Sequence, residues 1–211
     1  MRIDAAGWPL VLGALAVGLA GALVSPWLCA PFLLLSGFFL FFFRDPHRRV
    51  TEGEHLVLSP ADGRVLIAGD PAGVGAPPGA WRQVSIFLSP MNVHINRVPV
   101  GGRVTKVSYT PGKFLPAYRA EAGAINERSE IWIDHGGQMV VARQIVGILA
   151  RRVVCRVRAE TIVKGGDRYG VMKFGSRMDV FVPPDAEIRV TAGEDVRAGE
   201  TVIAVLHSKA S

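Results

Sequence analysis

The chain has 211 residues, 24 lysines and arginines against 18 aspartates and glutamates, a net charge of +6, and 49% hydrophobic residues. That length allows one ordinary domain plus an appendage. With only two cysteines, Cys29 and Cys155, a disulfide framework is excluded and a reducing compartment fits.

The appendage comes first. No residue from 8 to 43 carries a charge, and at about 1.5 Å per residue one straight helix would far exceed a bilayer core of roughly 30 Å. Ser25-Pro26, with Pro31 just after, divides the stretch into residues 8–24 and 27–43, each near the lower limit of about 17 residues for a spanning helix. Arg2 precedes the stretch and Arg44, Arg48 and Arg49 follow it, so the positive-inside tendency puts both ends in the cytoplasm. The expectation is a membrane helical hairpin over residues 1–45, in the cell (inner) membrane, with the remaining domain on the cytoplasmic face. A cleaved signal peptide fits poorly, because the apolar run is too long and ends without a small-residue cleavage site. Anionic headgroups attract juxtamembrane basic residues by about 1 kcal/mol each, which gives the three arginines a nearer partner than nucleic acid.

Residues 46–211 read as a β-rich domain. Short β-branched runs at 56–58, 64–68, 84–88, 104–109, 130–134, 139–148, 153–159, 178–182, 188–190 and 201–206 are punctuated by glycine, proline and aspartate. No sustained helical period follows residue 46, although residues 113–124 have room for a turn or two. The predicted class is mainly β, a compact antiparallel barrel or sandwich, with lipoyl-like hairpins at 160–170 and 191–204. Residues 70–80, dense in glycine, proline and alanine, read as an exposed loop.

Within this domain the bond between Gly175 and Ser176 has chemical potential. A serine hydroxyl can attack the carbonyl before it, move the acyl group from nitrogen to oxygen, and leave an ester open to β-elimination. Glycine, with no Cβ, lets that carbonyl be approached closely. Alone, the dipeptide is an ordinary turn pair. It stands in Lys173-Phe174-Gly175-Ser176-Arg177, the last of six motifs. The others are Phe43-Arg44-Asp45-Pro46, Ser59-Pro60-Ala61-Asp62-Gly63, Leu88-Ser89-Pro90-Met91-Asn92-Val93-His94-Ile95-Asn96-Arg97, Pro111-Gly112-Lys113-Phe114 and Asn126-Glu127-Arg128. In this order they resemble the short, single-hairpin form of the phosphatidylserine decarboxylase family along nearly the whole chain.

That resemblance implies a proenzyme. Cleavage at Gly175-Ser176 would give a β chain of residues 1–175 and an α chain of residues 176–211, paired as a heterodimer. Ser176 would become a pyruvoyl group, the self-derived cofactor that forms a Schiff base with the amine of phosphatidylserine in the membrane and serves as electron sink for decarboxylation to phosphatidylethanolamine. Both stages need proton transfer, for which histidine is the natural side chain. The resemblance assigns this to His94, and assigns Asp62 to an Asp-His-Ser arrangement with the logic of a hydrolase triad. Without the family, a lone histidine such as His94 near a strand end is more often structural, and Asp62-Gly63 reads as a hairpin turn. Longer family members have a second histidine where this chain has Arg97, so the division of labour between two histidines does not transfer. Arg97 and Lys113 are phosphate-contact candidates, with structural roles open for both. No cluster has metal-ligand spacing, so no metal is expected. No nucleic-acid motif is present. The competing reading is a membrane-tethered lipoyl-like adaptor that leaves Gly175-Ser176 intact.

Overall fold

The computed structural model describes residues 2–71, 75–148, 153–173 and 175–207. It divides into two compact units, Met1–His47 and Arg48–Ser211.

The first unit holds two apolar helices, α1 (Trp8–Ala22) and α2 (Cys29–Phe42). Pro9 in the first turn of α1 loses no intrahelical bond there. Pro26 opens a single 3-10 turn, Pro26–Leu28, between the helices. The strands β1 (Arg2–Ile3) and β2 (Arg44–Asp45) pair antiparallel, so the two ends of the apolar stretch lie side by side. Gly18 and Gly21 let the helices approach: the place of a Cβ on Gly18 lies 3.0 Å from Phe32 Cβ, and that on Gly21 lies 3.2 Å from Leu28 Cβ. With its leading 3-10 turn, α1 forms an 18-residue apolar segment over Ala5–Ala22, long enough to cross a membrane.

The second unit is antiparallel β-structure. Its strands in chain order are β3 (Leu56–Leu58), β4 (Gly63–Gly69), β5 (Arg82–Leu88), β6 (Ile95–Arg97), β7 (Gly102–Thr110), β8 (Arg128–His135), β9 (Gln138–Val146), β10 (Val154–Cys155), β11 (Ile162–Val163), β12 (Arg168–Val171), β13 (Ser176–Val182), β14 (Glu187–Ile188), β15 (Asp195–Val196) and β16 (Val202–Val205). One short helix, α3 (Ala122–Ile125), falls at the end of the stretch expected to hold a turn. Eight strands form a sheet in the order β11-β7-β8-β9-β13-β5-β4-β15, and two three-stranded sheets, β10-β12-β6 and β14-β16-β3, complete the unit.

Two expectations are revised. Among the described residues the large sheet stays open, with β11 and β15 as its edges, so no closed barrel forms. The two lipoyl-like hairpins are not strand pairs either. β11 pairs with β7 and β12 with β6 and β10, while β15 pairs with β4 and β16 with β3 and β14. Strand-turn-strand rhythm reports local conformation, whereas pairing depends on which distant backbone is free to approach. Gly101 and Gly102 give β7 a bare start, and Val163 lies against it.

β13 is the centre. It is buried at every position and flanked by β5 and β9. Its alternate residues Met178, Val180 and Val182 join Val84, Ile86, Ile131, Ile133, Val140 and Ala142 in the apolar core. Val57, Tyr169 and Ile203 from the smaller sheets enter the same core. The other face of β13, with Arg177, Asp179 and Phe181, is also buried and carries a polar network. Arg177 holds Asp179 through two bonds of 2.6 and 2.8 Å and donates to the Arg119 carbonyl at 3.1 Å. Ser85 donates to Asp179 at 2.6 Å and accepts from Gln83 at 2.8 Å. Beside them Arg143 pairs with Glu130 at 2.6 Å and donates to the Gly75 and Gly123 carbonyls.

With side chains only 4% and 1% exposed, the Arg177–Asp179 pair cannot lose one member cheaply. Asp179→Ala leaves a buried guanidinium without its counter-ion, and we expect a loss of about 3–5 kcal/mol, read by urea denaturation of the detergent-solubilised chain.

Candidate active site

Ser176 opens β13. It stands opposite Leu88 of β5 and Val146 of β9, on the core face, and is completely buried. Its Oγ has no hydrogen-bond partner among the described residues. A buried hydroxyl normally finds one, so this atom is an exception that asks for a chemical reason.

The residue before it has the backbone that a close internal attack needs. Gly175 has φ +72°, in the left-handed region where a side chain is strained. Its carbonyl faces Gly147, directly after β9, and a methyl group on Gly147 would overlap the Gly175 carbonyl oxygen. Ala117 closes the same spot, its Cβ 3.5 Å from where that methyl would stand. The Gly175 carbonyl therefore rests in a seat open only because residue 147 is glycine.

The motif around His94 folds around the end of β5. After Leu88, the Asn92 side chain accepts the Ser89 N–H at 2.9 Å and the Asn92 N–H returns to the Ser89 carbonyl at 2.9 Å, closing a tight turn. The Asn92 carbonyl lies 3.0 Å from His94 Nδ1. A carbonyl can only accept, so Nδ1 carries the proton and Nε2 is the basic nitrogen. The His94 carbonyl accepts the Met172 N–H at 3.3 Å. His94, itself 0% exposed, is thereby anchored between Leu88, opposite Ser176, and Met172, just upstream of Gly175.

Asp62 lies in the turn into β4. Gly63 has no room for a Cβ because the Phe87 carbonyl occupies that place, which sets the turn against the same end of β5. The Asp62 carboxylate accepts from Arg48 Nη2 at 2.5 Å and from the Ala198 N–H at 2.8 Å. Those bonds tie the start of the unit and the 195–201 turn to the Ser59-to-Gly63 motif. Arg97 is 5% exposed. Its N–H donates to the Pro60 carbonyl and its Nη1 to the Gly166 carbonyl, both at 2.8 Å. Lys113 is exposed, its backbone bridged to Asn126.

Four residues without an assigned role complete the site. Asn126, fully buried, donates from Nδ2 to the Leu115 and Val146 carbonyls, each at 2.8 Å, and accepts the Leu115 N–H at 3.0 Å. It thus fastens the Pro111-to-Phe114 loop to the residue opposite Ser176. Gln144 donates to Asn96 Oδ1 at 2.8 Å, and both amides are fully buried. Gln144 Oε1 and Asn96 Nδ2 have no partner among the described residues. Gly147 gave no sequence signal, since its role is a steric overlap visible only once β9 and the 173–176 segment are side by side. No group of three or more potential metal ligands occurs among the described residues. Burial pushes the Cys155 thiol up, which argues against a thiolate nucleophile.

A family profile described as phosphatidylserine decarboxylase matches residues 35–204 of this chain. The chain belongs to the phosphatidylserine decarboxylase family. It is 44% identical over 180 residues to a phosphatidylserine decarboxylase proenzyme of Syntrophus aciditrophicus, covering 85% of this chain and 84% of that one. It is 42% identical over 203 residues to the protein of the same name from Nitrosomonas europaea, with 95% and 94% covered, and 41% identical over 206 residues to that of Cupriavidus taiwanensis, with 96% and 95% covered. The family profile spans the five motifs from Phe43 to Asn126 and the sixth at Gly175-Ser176.

The seat at Gly147 is open to a direct test. Gly147→Ala should slow appearance of any fragment beginning at residue 176 by roughly 5- to 150-fold, since an overlap of this kind forces backbone movement costing roughly 1–3 kcal/mol. Denaturing electrophoresis follows the cut, and an unchanged rate would show that the carbonyl does not depend on that seat.

Proposed function

We propose that this chain is made as a proenzyme, cuts itself between Gly175 and Ser176, and then decarboxylates phosphatidylserine to phosphatidylethanolamine and carbon dioxide in phospholipid biosynthesis. The single observation that carries the reading is the Ser176 hydroxyl, fully buried without a hydrogen-bond partner among the described residues, next to a left-handed glycine. The family membership agrees with it.

In the first stage Ser176 Oγ adds to the Gly175 carbonyl carbon and the C–N bond breaks. The hydroxyl proton passes to His94 Nε2 and on to the departing Ser176 nitrogen, giving an ester. Loss of the Ser176 Cα proton expels the Gly175 carboxylate. Hydrolysis then releases ammonia and leaves a pyruvoyl group at the head of residues 176–211. Asn92 holds the His94 tautomer through Nδ1, as an orienting acceptor does in serine hydrolases. Asp62 is assigned to the same processing step, its carboxylate acting through the 59–63 turn it stabilises.

In the second stage the pyruvoyl group supplies an electron-accepting carbonyl to an amine-bearing substrate. The chain's own residues bind and protonate. His94 returns a proton to the carbon that has lost carbon dioxide. Asn96 Nδ2 and Gln144 Oε1 offer a buried donor and acceptor for the zwitterionic serine head. For the phosphate, Lys113 is proposed ahead of Arg97, because Lys113 is exposed while Arg97 is buried on the Gly166 carbonyl. Residues 1–175 and 176–211 stay together as β and α chains. The apolar helices are assigned as a membrane hairpin that keeps the catalytic unit at the cytoplasmic face of the cell membrane, where the substrate's acyl chains stay in the bilayer. A tethered adaptor is disfavoured, since it gives no use to the buried hydroxyl.

Ser176→Ala should persist as one polypeptide and release no carbon dioxide from phosphatidylserine. Intact mass of the unaltered protein should show a chain starting at residue 176 with a blocked N-terminus. His94→Ala should slow cleavage by about 10²-fold or more, the usual scale for a lost acid/base. A full-rate His94→Ala variant would sink the proton-transfer assignment, and an active uncut Ser176→Ala variant the whole reading.

A further inference from the structure

The described part of residues 48–211 exposes eight large apolar side chains to a third or more, and their distribution is uneven. All but Val50 and Ile162 lie at the end of the sheet where Ser176 sits: Met91, Tyr109, Phe114, Tyr118, Ile125 and Ile148. Connectivity fixes this. Met91 is in the turn after Leu88, which faces Ser176. The Tyr118 ring packs edge-on against Phe87, which stands opposite Arg177, with centroids 5.9 Å apart. Phe114 precedes Leu115, fastened through Asn126 to Val146. Ile148 follows Gly147, the seat of the Gly175 carbonyl.

Scattered single exposures need no explanation, but a cluster around one opening does. Met91, Tyr118 and Ile148 are 63%, 60% and 57% exposed. Among them stand two exposed cations, Lys113 and Arg119, against one exposed acid, Glu121. Apolar tips with aromatic rings and a basic border match the boundary between acyl chains and anionic headgroups.

We propose that this rim docks the catalytic unit on an anionic lipid bilayer, independently of the apolar helices. Phe114, Tyr118 and Ile148 enter the headgroup boundary and Lys113 and Arg119 lie among the phosphates. A lipid headgroup then reaches Ser176 without its acyl chains leaving the membrane. This rests on Ser176 as the reaction centre.

The test uses the full, self-cleaved chain reconstituted in vesicles of phosphatidylcholine and phosphatidylserine, with rates normalised to the cleaved fraction. The triple variant Met91→Ser, Tyr118→Ser, Ile148→Ser should lose roughly tenfold or more in turnover of bilayer phosphatidylserine. It should keep the turnover of a short-chain, monomeric phosphatidylserine within about twofold. Equal losses on both substrates would make the rim part of the pocket and overturn the proposal, as would no loss on either. A second readout needs no activity, so it separates this proposal from the assigned reaction. A fluorophore on Ile148→Cys, in a chain with Cys29→Ser and Cys155→Ser, should be quenched by lipids carrying a nitroxide on the acyl chain, while one on Ile162→Cys should not. Equal quenching at both positions would overturn it. So would a dimer that the triple variant breaks with Ile148→Cys unquenched, which would make the rim a subunit interface.

Discussion

The structure depends on the placement of one peptide bond at the edge of a fully paired strand. Ser176 is the first residue of β13, held by β5 on one side and β9 on the other. Gly175, one residue earlier, leaves the ladder in a left-handed turn with its carbonyl against Gly147. The hydroxyl side of the bond is immobilised by strand pairing and the carbonyl side by a steric seat. Proximity and orientation of this kind are what the proposed internal attack would require.

The remaining motif residues act largely on that placement. Asn126 fastens the loop before α3 to Val146, directly opposite Ser176. Asn92 shapes the turn that carries His94. Asp62 binds Arg48 and the Ala198 amide, and Arg97 binds the Pro60 and Gly166 carbonyls, so the 59–63 turn is held from several directions. Under the opposite face of β13, the Arg177–Asp179–Ser85 network is satisfied by partners as buried as itself. A buried polar layer paired in this way makes register slippage costly, because a one-residue shift would turn those charges into the apolar core.

Much of this was legible in the chain. The charge-free stretch with its proline break corresponds to α1 and α2, and the alternating runs correspond to most long strands, with β5 and β13 each starting two residues earlier than expected. The six motifs fall within the residues that the family profile matches. What could not be read was long-range. Whether two short strands pair with each other or with distant partners depends on backbones that meet only in the fold, which is why the hairpins at 160–170 and 191–204 were expected and not found, and why of barrel and sandwich the closed barrel is not seen among the described residues. Gly147 is the same lesson at one residue: between Val146 and Ile148 it reads as nothing, and it matters only because Gly175 arrives beside it. The resemblance gave Asp62 a chemical role and residue type gave Arg97 one, while their observed bonds are also those of a brace.

β13 is sewn along its length to β5 and β9, β15 to β4, and β16 to β3. Every one of those neighbours comes from the part of the chain before residue 175. Severing the backbone ahead of Ser176 would therefore release neither piece. The smaller fragment contributes the middle strand of a sheet built by the larger one, and the two would part only on unfolding. Such a cut would alter a covalent bond and leave the architecture in place, so a terminus made there would stay as firmly located as any interior residue.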